Sequence, residues 1–351
     1  MSGENTHQTV VDVKDKRIVQ LGVVVRDAVK SAKQFAKMFG GGPWVFFDSI
    51  PTDATLHGEP VPDGKSCVRL GFGNIGGLEI ELLQPLYGPS THMEFLLTHG
   101  EGIHHFSFGE AADHDAFVSA LKHHGFEVEM DGISSGAMPF TYMATQEELG
   151  TIIEVLKPVS DEIKSTMQPW GIYEPSEGSG LINLERKRIV QIGIVVEDAE
   201  KVARTYWDLL GIGPWMFFDF KPPMATCDRF HGLPTMGGSD FHIKVAMADL
   251  DDMQIELLQP VYGPSTHMDF LKQHGQGVHH ISFDAIDDHD KLVSTLRAQG
   301  IEIEMSGIIG GANRYTYLAA QKEIGTILEC VKVDPEVEST VAPYGTFPPD
   351  V

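Results

Sequence analysis

The chain has 351 residues, 42% of them hydrophobic, enough for about two or three domains with real cores. A formal net charge of −24 argues against nucleic acid and anionic membranes as partners, because both require a basic face. Cys67, Cys227 and Cys330 form no Cys-x-x-Cys pair, no signal segment opens the sequence and no run reaches the roughly 18 apolar residues of a membrane span, so a cytoplasmic handler of small molecules is expected.

In chain order, the first expected element is a strand at Val19-Gln20-Leu21-Gly22-Val23. A helix over 27–39 follows and ends at Gly40-Gly41-Gly42-Pro43. Three β-like runs come next, over 44–47, 67–72 and 78–83. A second strand, His104-His105-Phe106-Ser107-Phe108, leads into a helix over about 113–124, ended by Gly125, and into runs over 126–130, 140–144 and 151–156. Each half is thus a βαβββ unit. The two close on one phrase, Ile80-Glu81-Leu82-Leu83-Gln84-Pro85 against Ile153-Glu154-Val155-Leu156-Lys157-Pro158.

The remaining chain repeats the pattern. Arg17-Ile18-Val19-Gln20 returns as Arg188-Ile189-Val190-Gln191, and Ile80-Glu81-Leu82-Leu83 as Ile255-Glu256-Leu257-Leu258. Gly102-Ile103-His104-His105 returns as Gly277-Val278-His279-His280, and Gly150-Thr151-Ile152-Ile153-Glu154 as Gly325-Thr326-Ile327-Leu328-Glu329. A C-terminal extension recurs too, Pro169-Trp170-Gly171 against Pro343-Tyr344-Gly345. The expected domains are 16–176 and 187–351, joined by a connector of flexible composition at 177–186. Gln20 maps to Gln191 at an offset of 171 and the later motifs map at 175, which places four extra residues in a loop around 222–238.

A polar group held in an apolar strand without a partner costs roughly 2–7 kcal/mol. Four matched polar positions in each of two copies point to a shared partner, and a divalent cation is the natural one. Internal symmetry aligns Gln20 with His105 rather than His104. Successive strand residues face opposite ways, so His104 and His279 are expected on the outer face.

A paired βαβββ unit with polar residues in its first and last strands resembles the vicinal oxygen chelate superfamily, which includes glyoxalase I, methylmalonyl-CoA epimerase, extradiol dioxygenases and antibiotic-resistance proteins. The resemblance covers nearly the whole chain. Gly211-Ile212-Gly213-Pro214-Trp215, the Glu-Leu-Leu-Gln-Pro phrase and the Gly-x-His-His run are most similar to its epimerase-like and glyoxalase-like branch. It implies an α+β fold of four βαβββ modules forming two cupped open barrels, each around one divalent metal. The ligands it implies are Gln20, Glu81, His105 and Glu154 in the first copy and Gln191, Glu256, His280 and Glu329 in the second. Glutamine at the first position departs from the epimerases and matches glyoxalase I. One histidine per site disfavours extradiol ring cleavage, whose iron usually takes two histidines and a carboxylate. Zn²⁺, Ni²⁺, Co²⁺, Mn²⁺ and Mg²⁺ all suit such ligands.

The expected chemistry is non-redox proton transfer α to a carbonyl: isomerisation, epimerisation or a lyase step through a metal-stabilised enolate or enediolate. Glu154 and Glu329 are the expected bases, with Glu81 and Glu256 as the symmetric alternative. The substrate is a small carbonyl compound, either a thioester, a hemithioacetal or a catabolic ketone. Tyr142, Tyr317 and Arg314, the last without a counterpart in the first copy, are the candidate substrate contacts. The rival readings are a metal-free binding protein of the resistance type and a ring-cleaving dioxygenase. Glu79 reads as a rim residue, His57 and His231 as exposed loop residues, and His92 and His267 as residues that start a helix. Pairing of modules within or between copies stays open, and a homodimer is compatible with a sequence that carries no specific signal for one.

Overall fold

The computed structural model describes residues 9–349 apart from 12, 14–16, 135, 177–179, 183–187, 236–239 and 284–287. The first unit runs β1 (Gln20–Val24), α1 (Ala28–Phe39), β2 (Trp44–Ser49), β3 (Thr52–Leu56), β4 (Glu59–Val61), β5 (Cys67–Ile75) and β6 (Leu78–Tyr87). After α2 (Thr91–Thr98) come β7 (Gly102–Glu110), α3 (His114–His123), β8 (Val128–Ser134), β9 (Met138–Met143), α4 (Gln146–Leu149), β10 (Ile152–Leu156), α5 (Asp161–Lys164) and β11 (Gly171–Tyr173). The second copy begins β12 (Ile189–Val195), α6 (Ala199–Leu210), β13 (Trp215–Phe220), β14 (Ala225–Phe230), β15 (Leu233–Pro234), β16 (His242–Leu250), β17 (Met253–Tyr262) and α7 (Thr266–His274). It ends β18 (Gly277–Phe283), α8 (His289–Ala298), β19 (Ile303–Ile309), β20 (Asn313–Leu318), α9 (Gln321–Ile324), β21 (Ile327–Val333) and β22 (Gly345–Phe347).

These strands make two curled half-barrel sheets of eleven strands, the tandem form of the expected fold. The first has the order β11-β2-β5-β6-β1-β7-β10-β9-β8-β3-β4 and the second β15-β14-β19-β20-β21-β18-β12-β17-β16-β13-β22. Each unit contributes its first strand to a central seam, where β1 lies antiparallel to β7 and β12 to β18. Units therefore pair within a copy.

Local chemistry explains the helices that cover each sheet. Asp27 accepts the Lys30 N–H to start α1, and Gly40, at φ 74°, lets the chain leave it. Between them Ala28, Ala32, Phe35 and Phe39 form one apolar stripe buried on the sheet. The β3–β4 hairpin was not expected. His57 and Gly58, at φ 50° and 80°, form its turn, and β3 pairs antiparallel with β8 to close the first unit onto the second.

One apolar core continues across both copies. Phe39 meets Phe283 with ring centroids 5.6 Å apart, and the buried Tyr206 hydroxyl donates to the Leu149 carbonyl at 3.0 Å. Val11 bonds the carbonyl of Leu209 at 2.7 Å, drawing the N-terminal segment onto α6. In the connector, Leu181 and Ile182 bond the carbonyls of Lys37 and Met38 at 3.0 and 2.8 Å. The expected bounds at 16 and 187, and connector positions 177–179 and 183–186, lie outside the described residues. Among the described residues no helix is long and apolar enough to cross a membrane.

Candidate metal centre

Four neighbouring strands at the middle of each sheet supply one side chain apiece. In the order β6-β1-β7-β10 these are Glu81, Gln20, His105 and Glu154; in the order β17-β12-β18-β21 they are Glu256, Gln191, His280 and Glu329. His105 Nε2 lies 3.4 Å from Glu81 and 3.5 Å from Glu154, and His280 Nε2 repeats those distances to Glu256 and Glu329. The glycine of each Gln-x-Gly run makes this possible. A Cβ on Gly22 would sit 1.9 Å from His105 Cε1, and Gly193 stands in the same relation to His280, so the imidazole crosses a strand that has no side chain there.

The donor atoms face each other unpartnered. Gln20 Oε1, Glu81 Oε2, His105 Nε2 and Glu154 Oε2 are all buried without a protein hydrogen bond, as are Glu256 Oε2 and His280 Nε2. Buried polar groups are rarely left so, since each costs about 1–3 kcal/mol. A divalent cation would satisfy all of them, and three carboxylate and imidazole groups per site lie within 4.8 Å of one another. Gln20 Nε2 donates to Glu79 at 2.8 Å, and Gln191 to Gln254 at 2.8 Å, which turns each amide oxygen toward the cluster. Glu79 is a rim residue, as expected, and also orients this ligand candidate.

Burial dominates the electrostatics. It pushes Glu81 up to about 8, with Glu79 adding to the rise, and Glu256 to about 8. Glu154 rises to about 7 for the same reason, opposed by His105, and Glu329 also rises. Burial lowers His105 and His280, against the pull of Glu154 and Glu329. Tyr142 and Tyr317 are buried beside Glu154 and Glu329 in the walls of the cavities above the two clusters. The cavities measure about 150 Å³ in the first copy and 250 Å³ in the second, with walls mostly apolar, such as Leu70, Leu83, Met130 and Phe140 in the first.

Other expectations are corrected. Arg314 is not in the described lining; it alternates with Asn313, Tyr315 and Tyr317, which are, and pairs with Asp228 at 2.9 Å. His104 and His279 are not on an outer face. The β1–β7 register passes from Gly22↔His105 to Val23↔Ile103, so His104 is the extra residue of a bulge and is buried. His92 and His267 do sit in the first turn of α2 and α7, but they are buried, line the cavities and have both ring nitrogens unpartnered. Their recurrence in the repeated Ser-Thr-His-Met phrase was the available signal. His92, His104 and His105, like His267, His279 and His280, form a second close group. In it both nitrogens of His104 already have partners. His57 and His231 are exposed, as expected, and pair with Glu94 and Asp269 at 2.7 and 2.9 Å.

Comparison with known proteins agrees with this architecture. The family profile described as Glyoxalase/Bleomycin resistance protein/Dioxygenase superfamily matches residues 19–142 and again 190–318. The uncharacterized protein YqjC of Bacillus subtilis is 24% identical over 118 residues, covering 33% of this chain and 83% of its own. A mutant 4-hydroxymandelate synthase from Streptomyces coelicolor superposes with a TM-score of 0.58 at 12% identity, over 93% of this chain and 95% of that one. The Mn(II)-bound glyoxalase from Novosphingobium aromaticivorans gives a TM-score of 0.46 at 13% identity, over 92% and 85%.

Proposed function

The chain belongs to the glyoxalase/bleomycin resistance protein/dioxygenase superfamily, and from that premise we propose that it is a divalent-metal-dependent enzyme moving a proton α to a carbonyl, as an isomerase, epimerase or lyase. The observation that carries this reading is the convergence, in both copies, of unpartnered buried oxygen and nitrogen atoms at the floor of an apolar cavity. Gln20, Glu81, His105 and Glu154 would hold one ion, and Gln191, Glu256, His280 and Glu329 the other, in the domains 16–176 and 187–351. When bound, a divalent cation there supplies Lewis acidity to adjacent substrate oxygens and acidifies the neighbouring C–H.

The remaining work falls to side chains. Glu154 or Glu329, as carboxylate, takes the proton from the α-carbon, and the electron pair of the broken C–H bond passes into the carbonyl. The carboxylic acid so formed returns the proton to the other face or to the neighbouring carbon. Tyr142 and Tyr317, in the walls of the same cavities, would contact the substrate. Neutral His92 and His267, with unpartnered ring nitrogens in the cavity, are placed to hydrogen-bond a substrate oxygen. Neither described cavity lining contains lysine or arginine, which favours an uncharged, apolar carbonyl compound such as a ketone over an anionic thioester.

One observation supports a second reading. His92 brings another histidine toward His105, so the ligand argument against a ring-cleaving dioxygenase is weaker than the sequence alone implied. Native mass spectrometry after Mn²⁺, Ni²⁺, Zn²⁺ or Fe²⁺ loading, followed by assays in D₂O and with an oxygen electrode, separates the two. We expect about two ions per chain, solvent deuterium at the α-carbon of turned-over ketones and its loss in the Glu154→Gln/Glu329→Gln double variant. Oxygen uptake with Fe²⁺ and a catechol, without exchange, would select the dioxygenase; no bound ion would sink both.

A further inference from the structure

We propose that Glu129, Thr91 and His104 form a hydrogen-bond chain that sets the tautomer of His105, so that a lone pair rather than a proton points at Glu81 and Glu154. The inference rests on the reading of His105 as a metal ligand for its purpose, though not for its geometry.

The direction follows from which atoms have protons to give. A carboxylate only accepts, so Glu129 takes the single hydroxyl proton of Thr91. With that proton committed, Thr91 Oγ1 can only accept from His104 Nε2, 3.0 Å away. His104 is then protonated on Nε2 and bare on Nδ1. That bare nitrogen lies 3.1 Å from His105 Nδ1, which must therefore be the donor. His105 is left protonated on Nδ1 and bare on Nε2, the atom 3.4 and 3.5 Å from the two carboxylates. A bare imidazole nitrogen is the form that ligates a cation.

Two backbone features assemble the chain. The bulge in β7 turns the neighbouring rings of His104 and His105 toward each other, and Ser90 caps α2 so that Thr91 reaches His104. The second copy repeats the first links. His280 Nδ1 lies 3.0 Å from His279 Nδ1, and His279 Nε2 lies 3.2 Å from Thr266 Oγ1. Its last link differs: Glu304, in the place of Glu129, lies 3.8 Å from His231. Glu129 is thus a positioning residue for the first site.

The test uses the full chain labelled with ¹⁵N-histidine, metal-free at pH 8, with His105 assigned by comparison with His105→Asn. Long-range ¹H–¹⁵N correlations should show His105 protonated on Nδ1. Mn²⁺ affinity of the first site is measured in a His280→Ala background. Thr91→Val should mix the His105 tautomers and weaken Mn²⁺ binding about 10–100-fold, the usual effect of losing such a supporting contact. Thr91→Ser should restore both, and Glu129→Leu, which removes the acceptor for the Thr91 hydroxyl, should also mix the tautomers and supplies a second readout if Thr91→Val does not fold. Protonation of His105 on Nε2 in the unaltered protein, or an unchanged tautomer in Thr91→Val and Glu129→Leu, would overturn the proposal. The stated tautomer in a protein that binds no cation would leave the chain standing and defeat the metal reading instead.

Discussion

At the scale of single residues, the carboxyl groups make the site sensitive to pH. Without a cation, Glu81 and Glu154 are raised from 4.5 to about 8 and about 7 by burial. The folded state therefore binds protons that the unfolded state has released, and stability falls as pH rises through this range. The stabilising contribution is complete below about pH 4.5 and gone above about pH 8. We expect calorimetry of metal-free protein to give a lower Tm at pH 8.5 than at pH 6, with added Mn²⁺ restoring more at pH 8.5. A Tm unchanged across this interval would argue that the carboxyls ionise freely. The positions of Gln20, Glu81, His105 and Glu154 were legible because each repeats inside an apolar run. His92 was not, since its phrase reads equally well as a helix start and only the packing of α2 on β7 shows where the ring goes.

Elements decide how accurately these groups meet. Strict two-residue alternation sent His104 outward, and the bulge opposite Gly22 and Val23 brought it back. No propensity marks that extra residue. The β3–β4 hairpin was missed for a related reason: Thr52-Asp53-Ala54-Thr55-Leu56 is short and polar, and it gains its partner from the other unit. By contrast, α1 and α3 were readable from the glycines that end them, Gly40 after the first and Gly125 after the second. The Ser90 cap carries a prediction of its own. Ser90→Ala should lower stability by about 1 kcal/mol and raise hydrogen exchange in the first turn of α2. Metal affinity should fall at the first site alone, because Ser265 still caps α7. Equal loss at both sites would mean that the effect is global.

At the scale of the whole molecule, the two copies share a core while their cavities differ. Ser49 and Ser134, hydrogen-bonded at 2.7 Å in the first, are replaced by Phe220 and Ile309 in the second, and the carboxylate of Glu79 by the amide of Gln254. Duplication was plain from the sequence, but the continuity of the core was not, because the contacts join elements far apart in the chain. Tyr206→Phe should leave the Leu149 carbonyl without its partner and cost about 1–3 kcal/mol. Denaturant unfolding monitored on each copy should show both losing stability together; an effect confined to the second copy would indicate independent folding.

That common core ties the fates of the two duplicates. Either half, if discarded, would expose the apolar surface its sibling relies on, so selection for a foldable chain preserves both scaffolds whatever happens to their chemistry. Each set of cavity walls can then wander toward a new ligand while its neighbour keeps the ancestral trade. The fusion is a ratchet: easy to enter by one duplication, hard to leave by any single deletion.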